Sequence, residues 1–340
     1  MYVQLNLKER CQKILEENGK NIADQASRIL LADPLLKDLR PPLEFISKNW
    51  RDPLSPSILS LACKAVGGSP DETHDAALAI SLIHLCFNVW DDIIDRAKHK
   101  AFKPTLFGKF GEGTTLIIGG LASAKAFSIL NQMKADLMKK QEINKLVWEL
   151  CTRMAQAEAR NLRLRKNGNM SYIKKLSIIE LETFDLQTCA RIGAIFGNGS
   201  QNDIKHLANY GRFLGLILEF WNSFWKTTNL TVELSEKIRT KAYPFLLLWA
   251  RDHSEKLRKK LDLINVKMIE PPDISEIVKY VLETNVIQYV TENIQEFAIK
   301  AKTELAGFAE NEATKKLKFF VEAQPQIFIE SISRMTTVII

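Results

Sequence analysis

Residues 76–90 read AALAISLIHLCFNVW, and Asp91-Asp92-Ile93-Ile94-Asp95 follow them directly. So little of that run is polar that a helix carrying it must be buried on nearly every side. Its C-terminal end then presents three carboxylates. On a helix, Asp91 and Asp95 share a face at i and i+4, and Asp92 lies about 100° round from Asp91. Like charges at that spacing repel, and carboxylates at a helix C-terminus meet the negative end of the dipole. A sequence that accepts both penalties at the edge of a buried helix implies a cation to offset them. Oxygen-only ligands suit Mg2+, which keeps several waters and takes one or two carboxylates together with substrate phosphates. Read by itself, the pattern is also that of a solvated acidic helix end.

Working outward, Lys103-Pro104-Thr105 stands eight residues beyond Asp95, followed by Phe107-Gly108-Lys109-Phe110-Gly111 and a second apolar run from Thr114. Ala65-Val66-Gly67-Gly68 and Leu82-Ile83-His84 lie upstream, and Arg191-Ile192-Gly193-Ala194 and Leu214-Gly215-Leu216 downstream. Over about Pro41 to Trp249, this order resembles the head-to-tail isoprenyl diphosphate synthases, or polyprenyl synthetases, which share a superfamily with class I terpene synthases. The resemblance implies an all-α fold: a single-domain, isoprenoid-synthase-type helical bundle around a central cavity. It also implies that Asp91, Asp92 and Asp95 are catalytic metal ligands. They would hold Mg2+ (two or three ions) that grips an allylic isoprenyl diphosphate. A homodimer is implied in the same way.

Composition bounds the remaining choices. At 340 residues the chain has room for one large domain or two. Hydrophobic content of 46% and charged content of 26% are the balance of a globular protein with a full core. A net charge of +7 suits an anionic substrate, but the lysines form no dense basic tract, so nucleic acid is not an expected partner. Cys11, Cys63, Cys86, Cys151 and Cys189 stand far apart with no CxxC pair, the pattern of reduced, buried thiols in a cytoplasmic protein. The first residues, MYVQLNLKERCQK, contain no apolar signal region. No uncharged stretch reaches the roughly 20 residues of a membrane span, and residues 114–124, broken by Gly119-Gly120, read as a buried core helix.

Apolar residues at three- and four-residue spacing predict helix over 5–31, stopped by Asp33-Pro34. Pro41-Pro42 opens a short helix through Trp50, residues 52–56 turn, and helix resumes over 57–66. Further helices are expected over 114–138, 141–165, 171–196, 201–227, 233–263, 274–307 and 311–334. Alternating strand patterns with hairpin turns, repeats and low-complexity tracts are missing. The expected organisation is one domain over 1–340, with outer N-terminal helices over 1–50, a core bundle over 57–307 and a C-terminal helix over 311–340.

The chain departs from the family where the second substrate binds. For a Gly-Lys-Arg segment that serves isopentenyl diphosphate in the family, it has Asp52-Pro53-Leu54-Ser55-Pro56. For paired arginines that serve the allylic and then the isopentenyl diphosphate, it has Lys100 and Ala101; for a Lys-Thr pair, Leu181-Glu182. A diphosphate carries about three negative charges, so a pocket without those cations binds isopentenyl diphosphate poorly. That argues against ordinary chain elongation. The family's second DDxxD becomes Glu219-Phe220-Trp221-Asn222-Ser223-Phe224-Trp225-Lys226, and the terpene cyclase triplet fails as well, because Lys226 and Leu230 follow Asn222. Glu219, Asn222 and Ser223 still share a helical face and offer oxygens to one metal ion, with Lys226 supplying some of the missing positive charge. The alternative is a merely packed helix with Trp221 and Trp225 in the core. The candidate diphosphate contacts are Lys100, Lys103, Arg191 and Lys226.

Phe87 stands one turn before Asp91 on the same face, where a bulky family residue floors the hydrophobic tunnel and shortens the tail that fits. Trp90, Phe220, Trp221 and Phe224 are the other candidate tail contacts, where π-faces stabilise an allylic cation by roughly 0.5–2 kcal/mol each. Core packing uses the same residue types. The implied chemistry is metal-assisted departure of diphosphate from an allylic substrate. With the isopentenyl site dismantled, cyclisation or elimination of the terpene synthase kind is the leading expectation. The alternatives are an isoprenyl diphosphate synthase, a prenyltransferase with an unusual acceptor such as a peptide, and a non-catalytic partner subunit. Retention of the aspartates with Lys100 and Lys103 argues against the last.

Overall fold

Asn6 starts the first helix with a capping box: its side chain accepts from the Glu9 amide at 2.9 Å, and Glu9 accepts from the Asn6 amide in return. In the computed structural model, which describes residues 6–100, 103–167, 170–228, 231–264 and 271–339, this helix is α1 (Leu7–Arg28). It is followed by α2 (Arg40–Asn49), α3 (Leu54–Ala65), α4 (His74–Ile94) and a small antiparallel ribbon of β1 (His99–Lys100) and β2 (Lys103–Pro104). Next come α5 (Leu106–Gln132), α6 (Leu137–Asn167), α7 (Tyr172–Glu182), α8 (Phe184–Phe196) and α9 (Gln201–Thr228). The chain continues through α10 (Thr231–Arg239), α11 (Phe245–His253), α12 (Glu255–Leu263), α13 (Pro271–Leu282), α14 (Val286–Glu304) and α15 (Glu312–Ile339). The fold is all-α, as the periodicity predicts, apart from the ribbon.

α3, α4, α8 and α9 carry the centre. α3 runs along α8, α8 along α9 and α4 along α5, while α14 covers α9 and α15 covers α14. One continuous core of buried side chains extends from Cys11 on α1 to Phe328 on α15. Ile80, Leu82 and Ile83 of α4 are almost wholly enclosed, and each contributes about 2 kcal/mol by leaving water.

Several long helices expected from periodicity are interrupted by local chemistry that periodicity ignores. Helix 171–196 is two helices meeting at Thr183. Helix 233–263 is three: Lys241 adopts a left-handed φ of +56°, Pro244 precedes α11, and the Ser254 side chain caps α12 by accepting from the Leu257 amide. Helix 274–307 divides between α13 and α14. α5 begins at Leu106 rather than 114, where Thr105 caps the Gly108 amide, and it kinks at Gly111, whose φ of +81° suits glycine alone.

The segment Pro70–Ile94 and α5 are each long and apolar enough to cross a membrane by length and composition, although neither holds an uncharged stretch of the length expected of a span. Packing separates them: 61% of the apolar window of the first lies inside the molecule, against 33% for α5. α5 buries one face through Thr115, Ile118, Ala122, Ala126 and Leu130, and exposes Leu116, Ile117 and Phe127. It is not the fully buried helix expected over 114–124, because apolar composition alone does not say which faces neighbours cover.

Candidate active site

α4 ends in a reversal built on Arg96, a non-glycine residue in the left-handed region at φ +54°. The Ala97 amide donates to the Asp92 carbonyl at 2.8 Å and the Arg96 amide to that of Ile93 at 3.0 Å, the hydrogen-bond pair of a Schellman end. An arginine in this conformation costs about 1 kcal/mol relative to glycine. The ribbon then folds back over the helix end. Lys100 Nζ lies 2.6 Å from Asp92 Oδ1 and 3.2 Å from Asp91 Oδ2. Lys103 is the cross-strand partner of Lys100 and so shares its face of the ribbon, exposed to solvent. Asp95 is buried and held from two other elements: Arg165 of α6 at 2.5 Å and Lys237 of α10 at 3.1 Å. Three aspartates thus meet three cations, and Glu158 of α6, 3.9 Å from Arg165, adds a fourth carboxylate.

Burial pushes the Asp92 carboxyl up to about 6, against the opposing pull of Lys100. Burial also acts on Asp95, but Lys237 and Arg165 outweigh it and hold that carboxyl at about 2. Lys100 is desolvated as well, yet Asp91 and Asp92 raise it above the ordinary lysine value and keep it charged. Arg165 and Lys237 escaped the sequence reading. They stand 70 and 142 residues from Asp95, and no local pattern links them to it.

The donor set at the end of α4 is the oxygen-only kind that Mg2+ takes. Asp92 Oδ1 is buried without a hydrogen bond, engaged only by its ion pair, and Asp91 keeps 43% of its side chain exposed. These two fit a metal ion. Asp95 differs, because Arg165 takes one of its oxygens and Lys237 the other. Among the described residues, no group of three His, Cys, Asp or Glu side chains is gathered as a ready metal cage.

The altered second motif on α9 does not converge as its shared helical face suggests. Ser223 Oγ is buried and accepts the Leu246 amide at 3.1 Å, capping α11. Asn222 is exposed. Glu219 is pushed up by burial and by Glu182, with Lys226 and Lys175 pulling the other way. The face spans about 100° of arc, and α11 claims one edge of it. Lys226 therefore acts on Glu219. Arg191 is also misplaced by the sequence reading: its acidic neighbour is Glu142 of α6, at 4.0 Å. Glu142 and Arg165 are 23 residues apart on α6, about 35 Å of helix, so Arg191 is far from the aspartates.

The five candidate tail contacts fall into two groups. Trp90 lies flush on α5, where a side chain at Gly119 would place its Cβ 2.2 Å from the indole nitrogen, and Phe87 is half-buried on the same helix as Trp90. Phe220 packs edge-on against Phe245 and Phe297, and Trp221 and Phe224 pack against Phe328. The second group serves the contacts of α9 with α11, α14 and α15. Ala101 and Leu230, which figured in the motif comparison, lie outside the described residues.

A further charged group lies within the apolar run of α4. His84 stands seven residues before Asp91, two turns and about 10 Å down α4 on the same face. Its Nδ1 lies 3.3 Å from Asp52 Oδ2 and its Nε2 3.6 Å from Asp185 Oδ2. Asp52 also accepts the Leu54 amide and the Ser55 hydroxyl. Burial disfavours the imidazolium, but Asp185 and Asp52 outweigh it and raise His84 to about 9. Glu182, one residue of the altered Lys-Thr pair, is held by Lys175 at 3.6 Å and Asn161 at 3.2 Å.

The polyprenyl synthetase family model matches residues 46–220, just over half of the chain. A geranylgeranyl diphosphate synthase of Methanosarcina mazei is 26% identical over 170 residues, covering 50% of this chain and 52% of that protein. A short chain isoprenyl diphosphate synthase of Methanothermobacter thermautotrophicus is 26% identical over 205 residues, covering 60% and 62%. The chain thus spans about half to three fifths of the length of these curated relatives. In fold, it is similar to a geranylgeranyl pyrophosphate synthetase from Pyrococcus horikoshii (TM-score 0.78, 21% identity, 94% of this chain and 98% of that one). It is also similar to a polyprenyl synthase from Caulobacter crescentus solved with calcium and isoprenyl diphosphate (TM-score 0.81, 16% identity, 96% and 99%). A family match over the segment that carries α3, α4, the aspartates, α8 and most of α9, on a fold shared along nearly the whole chain, supports one conclusion: this chain belongs to the polyprenyl synthetase family.

Proposed function

We propose that the protein binds an allylic isoprenyl diphosphate at the C-terminal end of α4, ionises it and transfers the allylic group to an acceptor. The observation that carries this reading is the interleaving of Asp91, Asp92 and Asp95 with Lys100, Arg165 and Lys237. Asp95, fixed by two cations, anchors the helix end. Asp91 and Asp92 would hold Mg2+, which when bound neutralises charge on the departing diphosphate. Lys100 exchanges its carboxylate partners for phosphate oxygens, and Lys103, on the same face of the ribbon, adds a second donor. The carbon–oxygen bond breaks with its electron pair leaving on the diphosphate, where the two lysines meet the developing charge. The relatives named as geranylgeranyl and short chain isoprenyl diphosphate synthases favour transfer as the fate of the allylic group. Asp52 and Asp185 beside His84 favour a second reading, cyclisation or elimination without any acceptor, because they leave the face of α4 below Asp91 without a surplus of cations.

The test is release of diphosphate from geranyl, farnesyl or geranylgeranyl diphosphate in the presence and absence of Mg2+, with analysis of the organic product. Metal-dependent release that falls by about 100-fold or more in Asp91→Asn and Asp92→Asn is expected, the scale of losing an electrostatic group at a reacting centre. Release that ignores both substitutions, or none from any of the three substrates, would overturn the reading.

A further inference from the structure

The face of α4 that carries Asp91 also carries His84, about 10 Å deeper. His84, Asp52 and Asp185 are largely enclosed, with 13%, 25% and 31% of their side chains exposed. Two carboxylates face one imidazolium, so the group carries a net negative charge. Asp185 and Asp52 act on His84, and His84 and Asp52 on Asp185, with no lysine or arginine among those groups. Lys175, on the neighbouring α7, is already paired with Glu182. Asp185 also acts on Glu219 of α9, which Lys226 and Lys175 offset.

The trio is also incomplete in its hydrogen bonding. Asp185 Oδ1 is buried without a hydrogen bond, and His84 Nε2, also buried, is engaged only by its ion pair with Asp185 Oδ2 at 3.6 Å. A buried carboxylate oxygen left open is rare in folded proteins, and such an atom is ordinarily completed by water or a ligand.

We propose that Asp52, His84 and Asp185 form the acceptor side of this site and select an amine, bound as its ammonium, over a diphosphate ester. This rests on the reading that an allylic diphosphate is ionised at Asp91 and Asp92. An ammonium complements the net charge of the trio, and one of its N–H groups fits the open Asp185 Oδ1. A diphosphate, with about three negative charges, meets two carboxylates there and is repelled. In the transfer, the ammonium gives one proton to Asp185 and becomes a nucleophile. Its lone pair bonds to the allylic carbon while the carbon–oxygen bond breaks and its electron pair leaves on the diphosphate. The products are a secondary ammonium, free diphosphate and the proton on Asp185, which passes to solvent.

Three probes that share one five-carbon skeleton separate the possibilities: isopentenylamine, isopentenol and isopentenyl diphosphate. Each is titrated calorimetrically into the full-length protein with Mg2+ and a non-hydrolysable farnesyl thiodiphosphate, and each is then incubated with farnesyl diphosphate for product analysis. The amine is expected to bind at least about tenfold more tightly than the diphosphate and to yield the N-farnesyl product. Asp52→Asn with Asp185→Asn should reverse the order of amine and diphosphate, and a far-ultraviolet circular dichroism spectrum and cooperative thermal unfolding like those of the wild type would show that the variant is folded; an unreversed order in the folded variant would overturn the proposal. Equal or tighter binding of isopentenyl diphosphate, its elongation by the wild-type protein, or an alcohol that matches the amine would each overturn the proposal. Metal-dependent release from farnesyl diphosphate alone, measured in the same preparation, separates the two levels. If release is present while the diphosphate probe wins, only the acceptor inference fails; if release is absent, the ionisation reading fails and takes the inference with it.

Discussion

Replacing His84 by glutamine should remove a specific pH dependence of stability. In the folded protein, Asp185 and Asp52 raise the imidazole from its ordinary 6.5 to about 9 despite the opposing effect of burial. A raised value means that the stabilisation is fully present below about pH 6.5 and is lost as pH rises through about 9. The gap of about 2.5 pH units, at 1.36 kcal/mol each, corresponds to about 3 kcal/mol at full protonation. About 2.5 kcal/mol of this remains at pH 7 and about 0.4 kcal/mol at pH 9, so the change between them is about 2 kcal/mol. An unfolding entropy of about 2.1 cal/mol/K per residue gives about 0.7 kcal/mol/K for this chain, so 2 kcal/mol moves Tm by roughly 3 °C. The assay is thermal unfolding of wild type and His84→Gln at pH 7 and pH 9. The variant should be less stable at pH 7 by roughly 3 kcal/mol, because it leaves Asp52 and Asp185 buried and facing an uncharged partner. Its own loss of Tm between the two pH values should be smaller than that of the wild type by roughly 3 °C. Equal losses in the two proteins would refute a charged His84.

The Asp95 clamp predicts the opposite sign. Its carboxyl is held at about 2, below the ordinary 3.8, so the stabilisation is present above about pH 4 and lost as pH falls through 2. Removing one of its two cations in Lys237→Met should cost about 1 kcal/mol at pH 7, half of the roughly 2.4 kcal/mol that the gap represents, and denaturant unfolding would measure it. Gly119→Val should cost roughly 1–3 kcal/mol by driving Trp90 off α5, with a shift in tryptophan emission; unchanged emission and stability would contradict the packing described. Tyr210→Phe should cost about 1 kcal/mol, since it removes a buried hydrogen bond from the hydroxyl to the Leu317 carbonyl at 2.9 Å, and the change in unfolding midpoint reports it.

What the sequence discloses about this site follows the range of the forces involved. The apolar run before Asp91 and the i, i+4 spacing of the aspartates are local, so α4 and its acidic end are legible from the string alone. Lys100 is legible for the same reason, nine residues away across one turn. Arg165 and Lys237 are not, because their contact with Asp95 depends on how α6 and α10 pack. The same blindness works in reverse at Arg191, whose position in a motif suggested phosphate but whose packing gives it Glu142. At Ser223, helical spacing identified a face without showing that α11 occupies its edge. His84 was the most misleading, since a lone histidine in an apolar run reads as core packing, and its carboxylates lie 32 and 101 residues away. Periodicity identifies a buried face; it does not identify the charge that waits there. Each of Asp91, Asp92, Asp95, Asp52 and Asp185 has an opposite charge within 3.6 Å, but the balance differs by depth. At the end of α4, the three aspartates and Glu158 meet three cations, so it takes a bound metal ion to tip the balance toward an anion. Two turns deeper, two acids share one imidazolium. Along one face of α4 the charge therefore changes character, suiting a metal-bound diphosphate at the helix end and opposing a second anion beside His84.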